Sequence, residues 1–500
     1  MSFELWGNAI AIFTVSAFAI TGVLYTRRNR PSVEGYVSAR NSTGSLASTA
    51  TIVASIMGAW ILFGPAEAAT WAGIIAVVGY ALGQAAPLIA FVFIGPRMRQ
   101  LIPQGHSLSE FVWFRYGKVA YGMVLLIMVF YMFVFLAAEM GAIARAVHAI
   151  VGTPLILTLL FVGGSTLLYT VYGGLRASIF TDNIQFFLIF PLILLVLIAA
   201  LVQLDGWSAA FDPVHKVDPN LLTGGHQPGI DLAITLVIAI FAANLFHQGF
   251  WQRVYASKSE SDMRKGFLSA GLIVVPLIML GGLFGLWAIG QGVAGPFDPI
   301  ALFKLAIHLL PPSLLLVLMV LALILVMSSM DTLLNGIASI FASDLPRLRP
   351  ELSGKHLLFY SRLITILFII PAMIVGYLFD SVLYLFFIAD LVCAAAVIPI
   401  FFGLYVRRYT GTMAVVSSIL GMGSGAIFFP TKNLAGWWTF PELTNLWHVL
   451  ASGNTLASFL VAILVSGLST IILTLLIKRT QSDKGYDFSS LANKVKSLDS

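Results

Sequence analysis

The chain is 500 residues long, 59% of them hydrophobic and only 10% charged, with a mean hydropathy of +0.94. That apolar share exceeds what a water-soluble globular domain carries and excludes a soluble fold for most of the chain. A net charge of +6 and a pI near 9.3 would suit nucleic acid if the basic residues were clustered. They are instead dispersed over loops beside apolar runs, which points to a lipid bilayer and not to nucleic acid.

In chain order, apolar runs of about 18 residues or more, each able to cross a hydrocarbon core of roughly 30 Å, recur about thirteen times. They centre near Phe13, Ile56, Leu88, Phe130, Phe161, Leu194, Ala239, Ile278, Leu323, Phe368, Ala394, Leu420 and Val465. The pattern predicts an all-α integral membrane protein of about 13 transmembrane helices. The first run, Trp6 to Tyr25, has no basic segment before it, and Arg27, Arg28 and Arg30 follow it. It reads as a retained helix (residues 1–30) with its N-terminus outside, not as a cleaved signal. Alternating the loops from there puts 24 of the 28 Lys and Arg on one side and only Arg145, Lys216, Lys304 and Lys432 on the other. The basic side, and with it the C-terminus, is then cytoplasmic, in a cell membrane of the plasma or inner type.

A polar stretch from Asp205 to Gly229, rich in turn residues, separates two hydropathy blocks, 33–202 and 230–405. Each block holds five helices, so the second starts from the opposite face and is inverted relative to the first. Two further helices (406–478) and a cytoplasmic tail (479–500) complete the expected organisation. The leading helix of each block carries a candidate break: Ala54 to Gly58 followed by Trp60 and Gly64-Pro65, and Ala242 to Gly249 with Asn244, His247 and Gln248. A broken helix frees backbone groups that can hold ions and solute. The single cysteine, Cys393, lies in an apolar run, which excludes an internal disulfide and a cysteine metal cluster.

Ser328 and Ser329 fall about 14 residues into their span, roughly 21 Å along a helix. Adjacent hydroxyls together with carbonyls from a broken helix give a hard cation its oxygen ligands. Glu139 lies about twenty residues into another span, where an ionised carboxylate costs on the order of 2.5 to 3.5 kcal/mol unless it faces protein or water. It reads as a substrate or proton site, or as half of a salt bridge with a residue such as Arg145. Asp390 poses the same question, and Glu67 lies nearer the outer mouth. Trp60, Glu139, Asn244, His247, Gln248, Tyr384 and Phe387 form the expected substrate set, aromatic surfaces with a few polar groups at the interface of the two blocks.

Val171-Tyr172-Gly173-Gly174-Leu175-Arg176 followed by Thr181-Asp182-Asn183-Ile184-Gln185 resembles the fourth-to-fifth-helix signature of the sodium/solute symporter family. Ala54 to Gly64 is similar to that family's first core helix, Gln252-Arg253 with Ala256-Ser257-Lys258 to its sixth-helix exit, and Met327 to Thr332 through Asp344 to its eighth. The resemblance spans roughly residues 33 to 410, in order. It implies an amino-acid-transporter-like fold with discontinuous first and sixth core helices. It also implies a sodium site built from the carbonyls of Ala54, Met57 and Leu325 and the hydroxyls of Ser328 and Ser329. Some members use the carboxylate at the position of Asp182 for a second ion. Asp331 reads as a carboxylate on the inward ion exit or as a partner for a cytoplasmic Arg. Where some members place an Asp or Asn and then a hydroxyl in the first break, this chain has Ile56 and Gly58.

The expected function is therefore secondary active, cation-coupled symport of a small polar organic solute such as proline or urea, by alternating access, with Na⁺ as coupling ion. A proton-coupled symporter of the same fold is the alternative, and a transporter-like sensor or channel the next. The loop Pro103 to Glu110 resembles the urea-transporter branch, while Ala54 to Gly64 is closer to the proline branch. No nucleotide loop, HExxH pair or nucleophile elbow suggests an enzyme, and no motif speaks to oligomeric state.

Overall fold

The computed structural model describes residues 3–29, 32–348, 354–430, 454–476, 486–492, 494, 495 and 498. These residues form a helical bundle, and an isolated bridge between Thr43 and Ser257 is the only β contact among them. The helices are apolar nearly all round. Large side chains such as Phe13, Phe93, Leu126 and Leu475 point away from the bundle, while Ala, Gly, Ser and Thr crowd its interior. Outward apolar bulk with small residues inside is the arrangement that acyl chains stabilise and water does not.

Helix α1 (Phe3–Arg28) packs on α7 and α13, α2 (Val33–Val37) is a short cap, and α3 (Ser45–Ile56) leads through a 3₁₀ turn (Ala59–Leu62) into α4 (Gly64–Leu101). There follow α5 (Leu108–Tyr116), α6 (Lys118–Val151), α7 (Leu155–Gln203), α8 (Trp207–Val217), α9 (Gln227–Leu245), α10 (Gln248–Ala256) and α11 (Glu260–Gly290). The remainder comprises α12 (Ala301–Leu309), α13 (Pro312–Leu348), α14 (Gly354–Leu378), α15 (Val382–Phe402), α16 (Gly411–Ala426) and α17 (Thr455–Leu476).

Ten of these helical segments are long and apolar enough to cross a bilayer, and α3 and α16 are shorter apolar helices. The continuous count falls below the expected thirteen: two long helices turn at a glycine instead of stopping in a loop, and α16 is shorter than a full span. α4 and α7 have 38 and 49 residues, about 57 and 74 Å at 1.5 Å per residue, roughly twice a hydrocarbon core. α4 turns at Gly73 (φ 70°) and α7 at Gly174 (φ 62°), in the left-handed region that a side chain disfavours. A Cβ on Gly174 would also meet the Tyr36 ring at 2.4 Å.

Both anticipated breaks are present. Between α3 and the 3₁₀ turn, Met57 (φ −73°, ψ 88°) and Gly58 leave helical geometry. Between α9 and α10 the interruption falls at Phe246 and His247. There His247 Nδ1 accepts from the Gly249 amide at 3.0 Å, and Trp251 Nε1 donates to the Leu245 carbonyl at 2.9 Å. Those bonds satisfy two of the backbone groups that ending a helix inside a bundle exposes.

The stretch from Asp205 to Gly229 holds more structure than its turn residues suggest. Its Ala210 and Val214 are buried, and Trp207 meets Trp287 edge-on at 6.3 Å, so α8 is held against α11. At one end of the bundle Arg40 donates to the carbonyls of Pro103 and Gly105, Arg99 to those of Val254 and Ser257, and Arg115 to those of Gly403 and Val406. Part of the C-terminal segment docks at this basic end: Tyr486 donates to the Phe114 carbonyl at 2.8 Å, and the Phe488 ring lies 5.2 Å from the Arg97 guanidinium. Cys393 is buried with a free thiol. Of the charged positions counted above, Arg30, Arg349, Lys432, Lys478, Arg479, Lys484 and Lys496 lie outside the described residues.

Candidate ion and substrate sites

The break after α3 is organised by Glu139 of α6, which is completely buried. Continuing the helix would require the amides of Gly58, Ala59, Trp60 and Ile61 to bond carbonyls four residues back. Instead Gly58 donates to Ile56 and Ile61 to Gly58, while Ala59 donates to Glu139 Oε2 at 2.8 Å and Trp60 to Glu139 Oε1 at 3.3 Å. The carbonyls of Ala54, Ser55 and Met57 thereby lose their helical donors. Gly58 is required for a spatial reason, since a Cβ there would sit 2.2 Å from Glu139 Oε1. Glu139 does not pair with Arg145, whose guanidinium bonds the carbonyls of Gly376 and Phe379 and, at 3.1 Å, Asp380.

Opposite the break, on α13, Ser329 Oγ donates to Glu139 Oε2 at 2.8 Å and Ser328 Oγ donates to Asp182 Oδ1 at 2.7 Å. Each hydroxyl proton is thus directed at a carboxylate, which leaves the oxygen lone pairs for a cation. Leu325 lies one turn earlier; its carbonyl at 3.3 Å and that of Val326 at 3.1 Å are the alternative acceptors for the Ser329 proton. Asp182 is fully buried and also accepts from Thr51 Oγ1 at 2.6 Å and from Arg253 Nη2 at 2.9 Å. Arg253, itself buried, reaches on to Thr332. Asp331, one turn beyond the serines, accepts from Ser178, Tyr169 and Thr181 at 2.7, 3.0 and 3.3 Å. Its hydrogen-bond partners among the described residues are hydroxyls, in place of a guanidinium.

A separate cavity opens between α4, α6, α9 and α15, with about 390 Å³ of space unfilled by atoms, much of it too narrow for a water molecule. Trp60 stacks on Tyr80 at 5.4 Å and meets Phe386 edge-on at 6.3 Å, and Phe135 and Phe387 extend the aromatic wall. Tyr131 donates to Asn244 Oδ1 at 3.3 Å and Asn244 to Gln84 Oε1 at 3.4 Å, a relay within the wall. Asp390 completes the lining.

Of the residues the sequence singled out for substrate, Trp60, Asn244 and Phe387 line this cavity. Glu139 sits behind Trp60 at the break. His247 caps α10, its ring 4.8 Å from Phe250. Gln248 turns toward the basic end, donating to the His106 carbonyl at 2.7 Å and to Ser339 at 3.1 Å. Tyr384 donates to the Pro430 carbonyl at 3.0 Å. Glu67, further along α4, accepts from Ser381 at 2.9 Å. Ala54 and Met57 belong to the break; Ser329 is joined to it through Glu139 and Ser328 to α3 through Asp182 and Thr51, with Leu325 one turn before Ser329. Tyr80, Gln84, Tyr131, Phe135 and Phe386 enter the cavity wall without having been anticipated. The four aromatic ones sit in apolar spans where nothing in sequence distinguishes a cavity-facing ring from a packed one, whereas Gln84 is a polar group in an apolar run and could have been singled out.

Interrupted apolar helices that surround a polar break and an aromatic cavity have the architecture of a membrane transporter. The family model for the Sodium:solute symporter family matches residues 36–421, and the chain belongs to that family. It is 25% identical to "Spermidine transporter DUR31" of Candida albicans over 98% of this chain and 92% of that protein. It is 24% identical to "Urea active transporter" of Saccharomyces cerevisiae over 95% of this chain and 70% of that one. Among solved structures, a Na⁺-coupled sialic acid symporter in a substrate-bound outward-open state shares the fold, with a TM-score of 0.75 and 17% identity over 95% of this chain and 99% of that one.

Proposed function

We propose that this chain is a sodium-coupled symporter of a small, nitrogen-containing organic solute, working by alternating access in the cell membrane with its N-terminus outside and its basic end in the cytoplasm. The observation that carries the reading is the break at Ala54 to Gly58, which frees carbonyls and is bridged by Glu139 to Ser329, next to Ser328 that donates to Asp182. A Na⁺ ion of modest size and hard character suits such an oxygen cage. In this reading Ala54, Met57, Leu325, Ser328 and Ser329 hold the coupling ion, and Asp182 serves a second cation in exchange for part of its bonding to Arg253. Relatives named for spermidine and urea transport support a nitrogenous solute.

The blocks 33–202 and 230–405 act as two inverted five-helix repeats, with 1–30, 406–478 and 479–500 as additions. In this reading α7 crosses twice, on either side of Gly174, α3 and the part of α4 before Gly73 make one crossing and the rest of α4 another, and α16 is counted as a crossing, which would make thirteen. Proteoliposomes test the coupling: an inward sodium gradient should drive solute accumulation, and Ser328→Ala with Ser329→Ala should abolish that dependence. Accumulation driven equally well by a proton gradient alone would overturn sodium coupling. It would favour the second reading, in which Glu139, already bonded to Ser329, takes up a proton at the same place.

A further inference from the structure

Among the buried carboxylates of the long helices, Glu139, Asp182 and Asp331 have their partners in the fold, while Glu67 near the start of α4 accepts from Ser381 at one oxygen and its Oε2 is buried without a donor. Glu139 accepts from Ala59, Trp60 and Ser329, Asp182 from Thr51, Ser328 and Arg253, and Asp331 from Ser178, Tyr169 and Thr181. Asp390 is only 4% exposed, yet no hydrogen bond or ion pair reaches it among the described residues, and its Oδ1 is buried without a donor. Burying a charge without a partner is strongly unfavourable. Its position on the wall of the aromatic cavity makes that cavity the place from which a partner comes.

We infer that the cavity binds the ammonium group of an aliphatic organic cation at Asp390, an inference that rests on the transport reading above and narrows its solute class. Four features of the cavity agree. Of the other polar side chains, Tyr131, Asn244 and Gln84 are bonded to one another and Tyr80 adds a hydroxyl, which leaves the carboxylate as the one charged group of the lining. No Lys, Arg or His lines the space, so the lining carries no positive charge to draw an anion. Trp60, Tyr80 and Phe386 give it π surfaces, which attract ammonium groups electrostatically. The remaining wall, including Leu236, Ile240 and Leu383, is aliphatic and suits a methylene stem. A neutral amide or polyol would leave the carboxylate uncompensated.

Binding and transport are measured separately on the purified full-length chain. In detergent, 1,4-diaminobutane and spermidine are expected to raise the thermal unfolding midpoint, whereas 1,4-butanediol and urea leave it in place. Asp390→Asn is expected to weaken diamine binding about 100-fold, as loss of one member of a buried charge pair does, with Asp390→Glu intermediate. Equal binding of butanediol and diaminobutane to the wild-type chain overturns the inference even if no Asp390 variant folds. Undiminished diamine affinity in a folded Asp390→Asn overturns it too, as does Asp390→Asn abolishing uptake of a neutral solute while diamines neither bind nor compete, which would make Asp390 a proton carrier. Amines that bind through Asp390 but are not accumulated under any cation gradient leave the inference standing and sink the symport reading. Gradient-driven accumulation of urea with no amine binding does the reverse.

Discussion

At the scale of single residues, acidic side chains in this membrane interior are distinguished by what donates to them. Glu139 replaces the carbonyls that the Ala59 and Trp60 amides lost when α3 ended, so it acts as a cap from a neighbouring helix. Glu139→Ala would leave those amides and Ser329 Oγ searching for acceptors, at roughly 1–3 kcal/mol for each buried group left unpaired. Glu139→Gln keeps one acceptor oxygen and should retain part of the stability; thermal unfolding in detergent orders the three proteins. The Asp182–Arg253 pair gives a second expectation. Arg253→Met strands a buried charge and should cost about 3–5 kcal/mol, whereas Asp182→Asn combined with Arg253→Met should cost less than the sum of the two single changes. A strictly additive double-mutant cycle would show that the 2.9 Å contact carries no coupling.

At the scale of elements, the glycine turns decide how apolar helices become a bundle. Gly174 holds a left-handed φ and packs its Cα against Tyr36, so Gly174→Ala combines backbone strain of about 1–3 kcal/mol with a steric clash. Gly164, in the same helix with open space around it, is the control: Gly164→Ala should be neutral or slightly stabilising. Comparable losses in both variants, by thermal unfolding, would show that the turn at Gly174 tolerates a side chain. Much of this layer was legible. Hydropathy placed the apolar spans, and small residues with Asn244, His247 and Gln248 marked the two breaks, because a polar group inside an apolar run has few structural uses. The helix in the Asp205–Gly229 stretch was not legible, since Ala210 and Val214 are buried where α8 packs against α11, a partner distant in sequence. Glu139 was conspicuous as a buried acid, but its donors are backbone amides about 80 residues earlier, which composition cannot reveal. Asp390 stood out for the same reason, while the tyrosines and phenylalanines around it did not.

At the scale of the whole molecule, the basic end is tied together by one imidazole. His106 Nε2 lies 2.7 Å from Glu34 Oε2, its Nδ1 3.2 Å from Glu110, and its carbonyl accepts from Gln248 at the start of α10. Glu34 also holds Arg40 at 2.8 Å and accepts from the Leu498 amide at 3.1 Å, while Ser109 bonds Asp344 on α13. The cluster thus joins α2, the α4–α5 loop, one half of a broken helix, α13 and the C-terminal segment, elements that alternating access would have to separate. Burial by itself would lower the His106 imidazole, but Glu110 and Glu34 outweigh it and raise it from 6.5 to about 9. Burial likewise works to raise the Glu34 carboxyl, yet His106, Ser38 and Arg40 hold it well below its ordinary 4.5. The raised imidazole contributes stability that is complete below pH 6.5 and is lost as pH climbs through about 9; the depressed carboxyl contributes stability present above pH 4.5 and lost only in stronger acid. The wild-type thermal midpoint should therefore fall as pH is raised from about 6.5 through 9. His106→Gln, which has no imidazolium to lose, should start lower at pH 6 and show a flatter decline. Parallel pH profiles for the two proteins would mean that His106 does not carry a proton between these carboxylates, and that the basic end is held by its arginines alone.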